Sequence, residues 1–347
     1  MVKPDILLDF KSCAAIKVPS TPLLFPIFEE PANGFAGQIY HNYSTQSNTI
    51  VKVWNHVIER FGINWVGLFI DDLFEYEHLG IIIEDGPDHP YAVIKYLPAE
   101  QKVLESLCLP DFNHDRRLPV LMDSIRRLRQ HWGNKVIISK SVAAPFTGLT
   151  LIHGIAPVMM LLYENPEFLQ KTMAFTEKLS IEFSRALIEA GADIIWLGDC
   201  CASSRFLSLD LFLEFAFEPA KREIEAIHKA GGMVIYHAAE NRLPFLEVMS
   251  RLGADVLSVE SGIDLAIVKQ AVGKRVALSG NLDSVNLIWH GSPDEIKREI
   301  KRLVTNVASQ GGVIVNTGEG ITKQTSHENL TTMFNAIREE WRFYEQY

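Results

Sequence analysis

The feature that most constrains this chain is a repeated order, in which a short apolar run is followed by a longer stretch with helical spacing. The runs are PLLFPIF (22–28), VGLFI (66–70), VIISK (136–140), DIIWL (193–197), MVIYH (233–237), DVLSV (255–259), RVALS (275–279) and VIVN (313–316). They are continuous rather than alternating, the pattern of parallel strands covered on both faces. Between them, residues 165–192 space Phe168, Met173, Phe175, Leu179 and Phe183 along one helical face and stop at Gly191. Residues 210–232 and 292–312 follow the same plan, the latter opening on a Ser-Pro-Asp-Glu helix start. Eight strands alternating with helices predict one (β/α)8 TIM barrel spanning residues 1–347. A doubly wound open sheet is the alternative, but the Gly-rich phosphate turn it would carry after an early strand is missing. Residues before the first run form an N-terminal extension. Within residues 81–120, DGPDHPYAVIKYLPAEQKV (85–103) has the turn residues of an excursion and predicts a lid over the barrel mouth.

Totals narrow the function. A formal charge of −10 argues against nucleic acid or an anionic membrane as partner. No apolar run reaches the length of a membrane span, and MVKPDILLDFKS places Asp5, Asp9 and Lys11 where a secretory leader would be apolar. A cytoplasmic protein is expected. Four cysteines in 347 residues are too few for a disulfide framework.

In a barrel, chemistry gathers just past the C-terminal ends of the strands. Those positions hold Glu29 and Glu30, Asp71 and Asp72, and Asp199 with Cys200 and Cys201. Next come His237 with Glu240, then Glu260, then Asn281 and Asp283, and finally Glu319. So many carboxylates around one histidine exceed what packing requires, because charge there is costly unless paired, protonated or bound to a cation. His237, Glu260 and Glu319 fall on strands five, six and eight, and one His with two Glu is a catalytic zinc donor set. Each also has an ordinary reading. His237 could be a hydrogen-bonded core histidine, Glu260 a partner of Lys269 or Arg275, and Glu319 a solvated turn residue. Asp199 either caps the following segment or joins the site. Cys200 and Cys201 read as plain buried thiols, with Cys200 the alternative choice as a metal ligand. Glu240 reads as a dipole partner for the next helix. Phe28, Phe35, Tyr40 and His41 are candidates for aromatic lining, or for ordinary loop packing.

Four segments carry a family resemblance. IDDLFEYEHLG (70–80), EAGADIIWLGDCCASSRFLS (189–208), LSGNLDS (278–284) and NTGEGITKQTSHENL (316–330) resemble signature segments of the uroporphyrinogen decarboxylase superfamily. The resemblance implies the TIM barrel, places Asp71, Asp199 and Glu260 in the catalytic region, and puts Asn281 and Asp283 at a cofactor-contacting turn. The superfamily has two main reaction classes. Its decarboxylases carry an early Arg-Gln-Ala-Gly-Arg motif that holds substrate carboxylates. Here LLFPIFEEPANGFAG (23–37) has no arginine and two glutamates, which would repel a polyanionic tetrapyrrole.

The other class is the zinc-dependent methyltransferases that work with a corrinoid protein, whose pattern is His-x-Cys, a later Glu, and Cys in a Gly-Cys-Gly-Ile turn. His237 and Glu260 match it, whereas Ala239 and Glu319 stand where the cysteines would be. Replacing thiolate by carboxylate leaves a bound zinc ion more Lewis acidic. The resemblance thus implies methyl transfer from a methylated substrate, a methoxylated aromatic, to a Co(I) corrinoid on a partner protein. His237, Glu260 and Glu319 would hold Zn2+. The alternatives are a decarboxylase of a smaller acid, a methylcobamide-to-thiol methyltransferase, and a barrel that only binds the corrinoid protein. Members of the superfamily often self-associate.

Overall fold

The computed structural model describes residues 5–28, 31–84, 86 and 88–342. Seven parallel strands form one curled sheet, in the order β1 (Trp65–Leu68), β4 (Ile137–Ala143), β5 (Ile194–Gly198), β6 (Met233–His237), β7 (Val256–Ser258), β8 (Ala277–Leu282) and β9 (Val313–Thr317). Strands β2 (Ile82–Glu84) and β3 (Ala92–Lys95) pair as a separate antiparallel hairpin. The period-2 alternation of each parallel strand sorts its side chains into two layers. Trp65, Ile137, Ile194, Ile235, Val256, Ala277 and Ile314 fill the inside of the curl. Val66, Ile138, Ile195, Val234, Leu257, Leu278 and Val315 pack outward against the helices. Helix Ile6–Ala14 joins the inner layer through Ile6, Phe10 and Cys13.

The first expected strand, 22–28, is not a strand. Among the described residues no ladder joins β1 to β9, so the barrel is not closed by hydrogen bonds. Residues 22–28 nevertheless run along this gap. Leu23, Phe25 and Ile27 enter the inner layer while Leu24 and Phe28 face outward. The Phe25 ring stacks on Trp65 at 4.2 Å between centroids. Pro22 and Pro26 supply the reason, because neither has an N–H to give to a neighbouring strand. Isolated bonds replace the ladder: Asn64 Oδ1 accepts from Leu24 N at 2.9 Å, and Ile27 O accepts from Ile321 N at 2.8 Å.

The helices largely follow the pattern. Helix Pro166–Ala190 starts at Asn165, whose side chain accepts from Phe168 N, and stops at Gly191 with φ 116°. Helix Pro293–Asn306 opens on a reciprocal Ser292–Glu295 capping box. The stretch expected as one helix at 210–232 is instead interrupted by a π turn over Phe212–Ala216, followed by helix Phe217–Lys229. Pro219 lies just after the break and cannot donate back into the preceding turn. No single described helix is long and apolar enough to cross a membrane.

Candidate active site

A cavity of about 390 Å³ opens where β1, β4, β5 and β6 end, lined by Asp71, Ser141, Trp196, Cys200, His237 and Glu319. Pro90, Tyr91, Ala92, Val93 and Tyr96 of the hairpin segment form another wall. His237 closes β6 on the same phase as inward-facing Ile235, so the alternation that fills the core also delivers the imidazole to the mouth. The Trp196 ring lies against it, centroids 4.7 Å apart and tilted 31°. His237 Nδ1 is 3.1 Å from Ser258 Oγ, which leaves Nε2 facing Glu319 Oε2 at 3.6 Å. The Cys200 thiol is a further hydrogen-bonding and charge neighbour of this ring. Burial by itself favours the neutral imidazole. The neighbouring Cys200 and Glu319 side chains outweigh it and lift His237 well above its ordinary range.

Glu319 reaches this place because residue 318 is glycine. A Cβ there would stand 2.6 Å from Ser261 N and 2.9 Å from the Glu260 backbone, so a larger residue would push the turn after β9 away from Glu260. Glu260 forms an ion pair with Arg205. Its second oxygen, Oε2, and Glu319 Oε1 are both buried without a hydrogen-bond partner. Burial, reinforced by Glu319, pushes the Glu260 carboxyl up against the opposing pull of Arg205. Unpaired buried carboxylate oxygens are costly, and such a place attracts a cation or a proton. The three expected metal donors are therefore neighbours. They are not a closed ligand set, since among the described residues no three His, Cys, Asp or Glu side chains are grouped to hold a metal ion.

The remaining expected residues divide sharply. Asp71 lines the cavity but is fully engaged, its oxygens accepting from Arg117 Nη1 at 2.8 Å and Nη2 at 3.0 Å. Asp72 also lines it and accepts from Ser141 Oγ at 2.7 Å. Asp199 does not reach the cavity. It is fully buried on the outward side of β5, accepting from Tyr236 Oη at 2.8 Å and Thr147 Oγ1 at 2.9 Å, and burial pushes its pKa up to about 6. Asn281 and Asp283 are not brought to it either. Asn281 Nδ2 donates to the backbone oxygens of Glu260 and Ile263, and Asp283 caps the turn at Val285 and Asn286. Glu240 accepts from Arg242 N near the following helix, and also ties down Ser204 N at 2.7 Å. Cys201 turns back toward Thr150, whose Oγ1 lies 3.3 Å away. Phe28 and Phe35 pack on Phe61. Tyr40 donates to Ile70 O, and His41 Nδ1 meets Tyr91 Oη at 2.9 Å. Glu29 and Glu30 lie outside the described residues.

Sequence reading passed over Trp196, Arg117, Arg205 and Ser258. Trp196 was legible in principle, since it sits two residues before Gly198, which pairs with His237 in register. Arg117 and Arg205 come from loops that no strand phase can place.

Comparison with known proteins agrees with this architecture. The methylcobamide:CoM methyltransferase MtbA of Methanosarcina acetivorans is 24% identical over 259 residues, covering 75% of this chain and 74% of its own. A uroporphyrinogen decarboxylase of Chlorobium phaeovibrioides is 26% identical over 297 residues, covering 82% of each chain. Among solved structures, a methyltransferase from Methanosarcina mazei superposes with a TM-score of 0.86 at 23% identity, covering 97% of this chain and 98% of that one. The profile of the uroporphyrinogen decarboxylase (URO-D) family matches residues 11–340, and the chain belongs to that family.

Proposed function

We propose that this protein is a corrinoid-dependent methyltransferase, taking a methyl group from a small methoxylated aromatic and passing it to a Co(I) corrinoid held by a separate protein. The observation that carries the reading is the partnerless pair of carboxylate oxygens, Glu260 Oε2 and Glu319 Oε1, beside the imidazole of His237. Those donors fit a divalent cation in chemistry and charge, and His237, Glu260 and Glu319 would hold Zn2+. When bound, the ion supplies Lewis acidity to the substrate oxygen from which the methyl group departs. The chain's own part is positioning. Trp196 and Tyr91 offer flat walls for a one-ring substrate, and about 390 Å³ suits such a ring. Ser258 keeps the imidazole turned so that Nε2 faces the mouth. The hairpin wall limits water around the reacting oxygen.

The cavity's charge also favours this reading over decarboxylation of a polycarboxylate. Its described lining has three carboxylates, from Asp71, Asp72 and Glu319, and neither lysine nor arginine. A polyanion would meet repulsion there. The test is methyl transfer from aryl methyl ethers to free Co(I) cobalamin, followed as methylcobalamin formation, with metal content measured in parallel. Transfer by the native chain, lost in a folded His237→Ala variant, is the expected result. Decarboxylation without methyl transfer, or transfer unchanged in His237→Ala, would overturn it.

A further inference from the structure

A second group of reactive side chains lies outside the cavity, whose described lining includes none of them. Cys108 is exposed, and its Sγ stands 3.3 Å from His78 Nε2. The other ring nitrogen, Nδ1, is 3.1 Å from Asp115 Oδ2. A thiol, an imidazole and a carboxylate thus follow one another in order, each within reach of the next.

Local structure explains the placement. His78 is carried by the short turn Glu77–Leu79, and Asp115 stands two residues before Arg117. Arg117 Nε donates to Glu77 Oε1 at 2.6 Å in a buried ion pair, so the segments bearing the imidazole and the carboxylate are fastened together from within. Asp115 is held further, because its Oδ2 accepts from Asp111 N at 2.7 Å. Cys108 follows the helix Gln101–Ser106, none of whose side chains is buried, and is itself open to solvent. Core packing does not require a thiol there.

We infer that Cys108 is a base-assisted nucleophile that exchanges with low-molecular-weight disulfides, with His78 as its base and Asp115 as the positioning residue. An imidazole whose Nδ1–H is drawn to a carboxylate keeps the Nε2 lone pair toward the thiol. In the exchange the Sγ proton passes to Nε2, Sγ attacks one sulfur of the disulfide, and the S–S bond breaks. The leaving thiolate takes that proton from the imidazolium. One protein thiol and one disulfide therefore give one mixed disulfide and one small thiol. Exposure selects this chemistry. The His78 and Asp115 side chains are 29% and 31% exposed, beside a thiol in contact with water. Attack on a disulfide sulfur runs in open water, whereas acyl transfer depends on enclosed donors for an oxyanion.

The experiment exposes the full-length chain to bis(2-hydroxyethyl) disulfide at neutral pH and maps mixed disulfides by peptide mass spectrometry. An ordinary thiol is only a few per cent ionised at pH 7, so a neighbouring base raises its reactivity by at most about 30-fold. Cys108 should accordingly react about 10-fold faster in the native chain than in His78→Gln. Imidazole added to the solution should restore the rate in His78→Gly and leave the native rate unchanged, a response that a merely structural histidine would not give. Asp115→Asn should slow the exchange and Asp115→Glu should recover it. The rate at Cys200, in the cavity, should be the same in every variant, which shows that the fold is intact. The inference is overturned if His78→Gln leaves the Cys108 rate unchanged, if imidazole fails to restore His78→Gly, or if the native chain forms only a Cys108–Cys108 cross-link between copies.

Discussion

The Arg117 guanidinium reaches both oxygens of Asp71, donates through Nε to Glu77 at 2.6 Å, and lies between the rings of Phe74 and Tyr91 at 4.1 and 4.3 Å. Across the same cavity, His237, Glu260 and Glu319 have one exposed arginine between them, and two carboxylate oxygens go without partners. Both clusters mix buried acids with a cation at one rim. The first is closed, with every charge answered by geometry. The second is open, with the Glu260 Oε2 and Glu319 Oε1 oxygens left unanswered. The contrast teaches that charge near a mouth is not itself a mark of chemistry; what separates the two clusters is whether the fold supplies each carboxylate with a partner.

The strongest way to break this comparison is to open the closed cluster. Arg117→Ala leaves Asp71 and Glu77 buried and unpaired, which should cost about 3–5 kcal/mol of stability. Urea unfolding checks it. A loss below about 1 kcal/mol would mean that the pair is not a structural clamp.

Acting on the open cluster should do the reverse. Glu319→Gln removes a charge that the fold leaves unsatisfied, so its unfolding free energy should stay within about 1 kcal/mol of the native chain. Methyl transfer should fall at least about 100-fold, equivalent to about 2.7 kcal/mol of barrier. Equal losses of stability and activity would erase the distinction between the two clusters.

How much of this was legible beforehand follows from the same physics. The strand runs 66–70, 136–140, 193–197, 233–237, 255–259, 275–279 and 313–316 were visible because double-sided burial makes them continuously apolar. The first run read equally apolar, and only the missing donors of Pro22 and Pro26 keep it out of the ladder. At the rim, position past a strand end put His237 and Glu319 at one place, and their side chains lie 3.6 Å apart. It could not reveal phase, so Asp199, one residue beyond Gly198, was expected at the mouth and instead faces outward into Tyr236 and Thr147. Arg117 and Arg205 arrive from loops, where neither period nor register constrains direction.

A buried acid away from the cavity sharpens the point. Glu75 is fully buried with both oxygens unpartnered, and burial pushes it up to about 8, opposed by Lys140. A carboxyl whose folded pKa is raised stabilises the fold fully below its ordinary value, and that contribution is lost as pH rises toward the folded value. Stability of the native chain should therefore fall by about 2 kcal/mol between about pH 5 and about pH 7. Glu75→Gln should flatten that slope without lowering methyl transfer, as thermal melts across pH and a parallel assay would show. Lost activity in Glu75→Gln would tie this acid to the open cluster after all.

The smallest effect should come from the hairpin residue that touches the closed cluster. Tyr91 contributes two separable things: its ring lies over Arg117, and its hydroxyl meets His41 Nδ1 at 2.9 Å. Tyr91→Phe keeps the ring and leaves a half-buried His41 that water can reach, so stability should fall by less than about 1 kcal/mol. Tyr91→Ala also removes the cation–π contact, worth about 1–2 kcal/mol when desolvated, and opens the cavity wall. If the proposed aromatic ether is the substrate, its KM should rise more than kcat falls, since the Tyr91 ring would then serve as a cavity wall rather than act on the transferred methyl group. If Tyr91→Phe proved as damaging as Tyr91→Ala, the bond to His41 rather than the stacked ring would be what holds the hairpin wall in place.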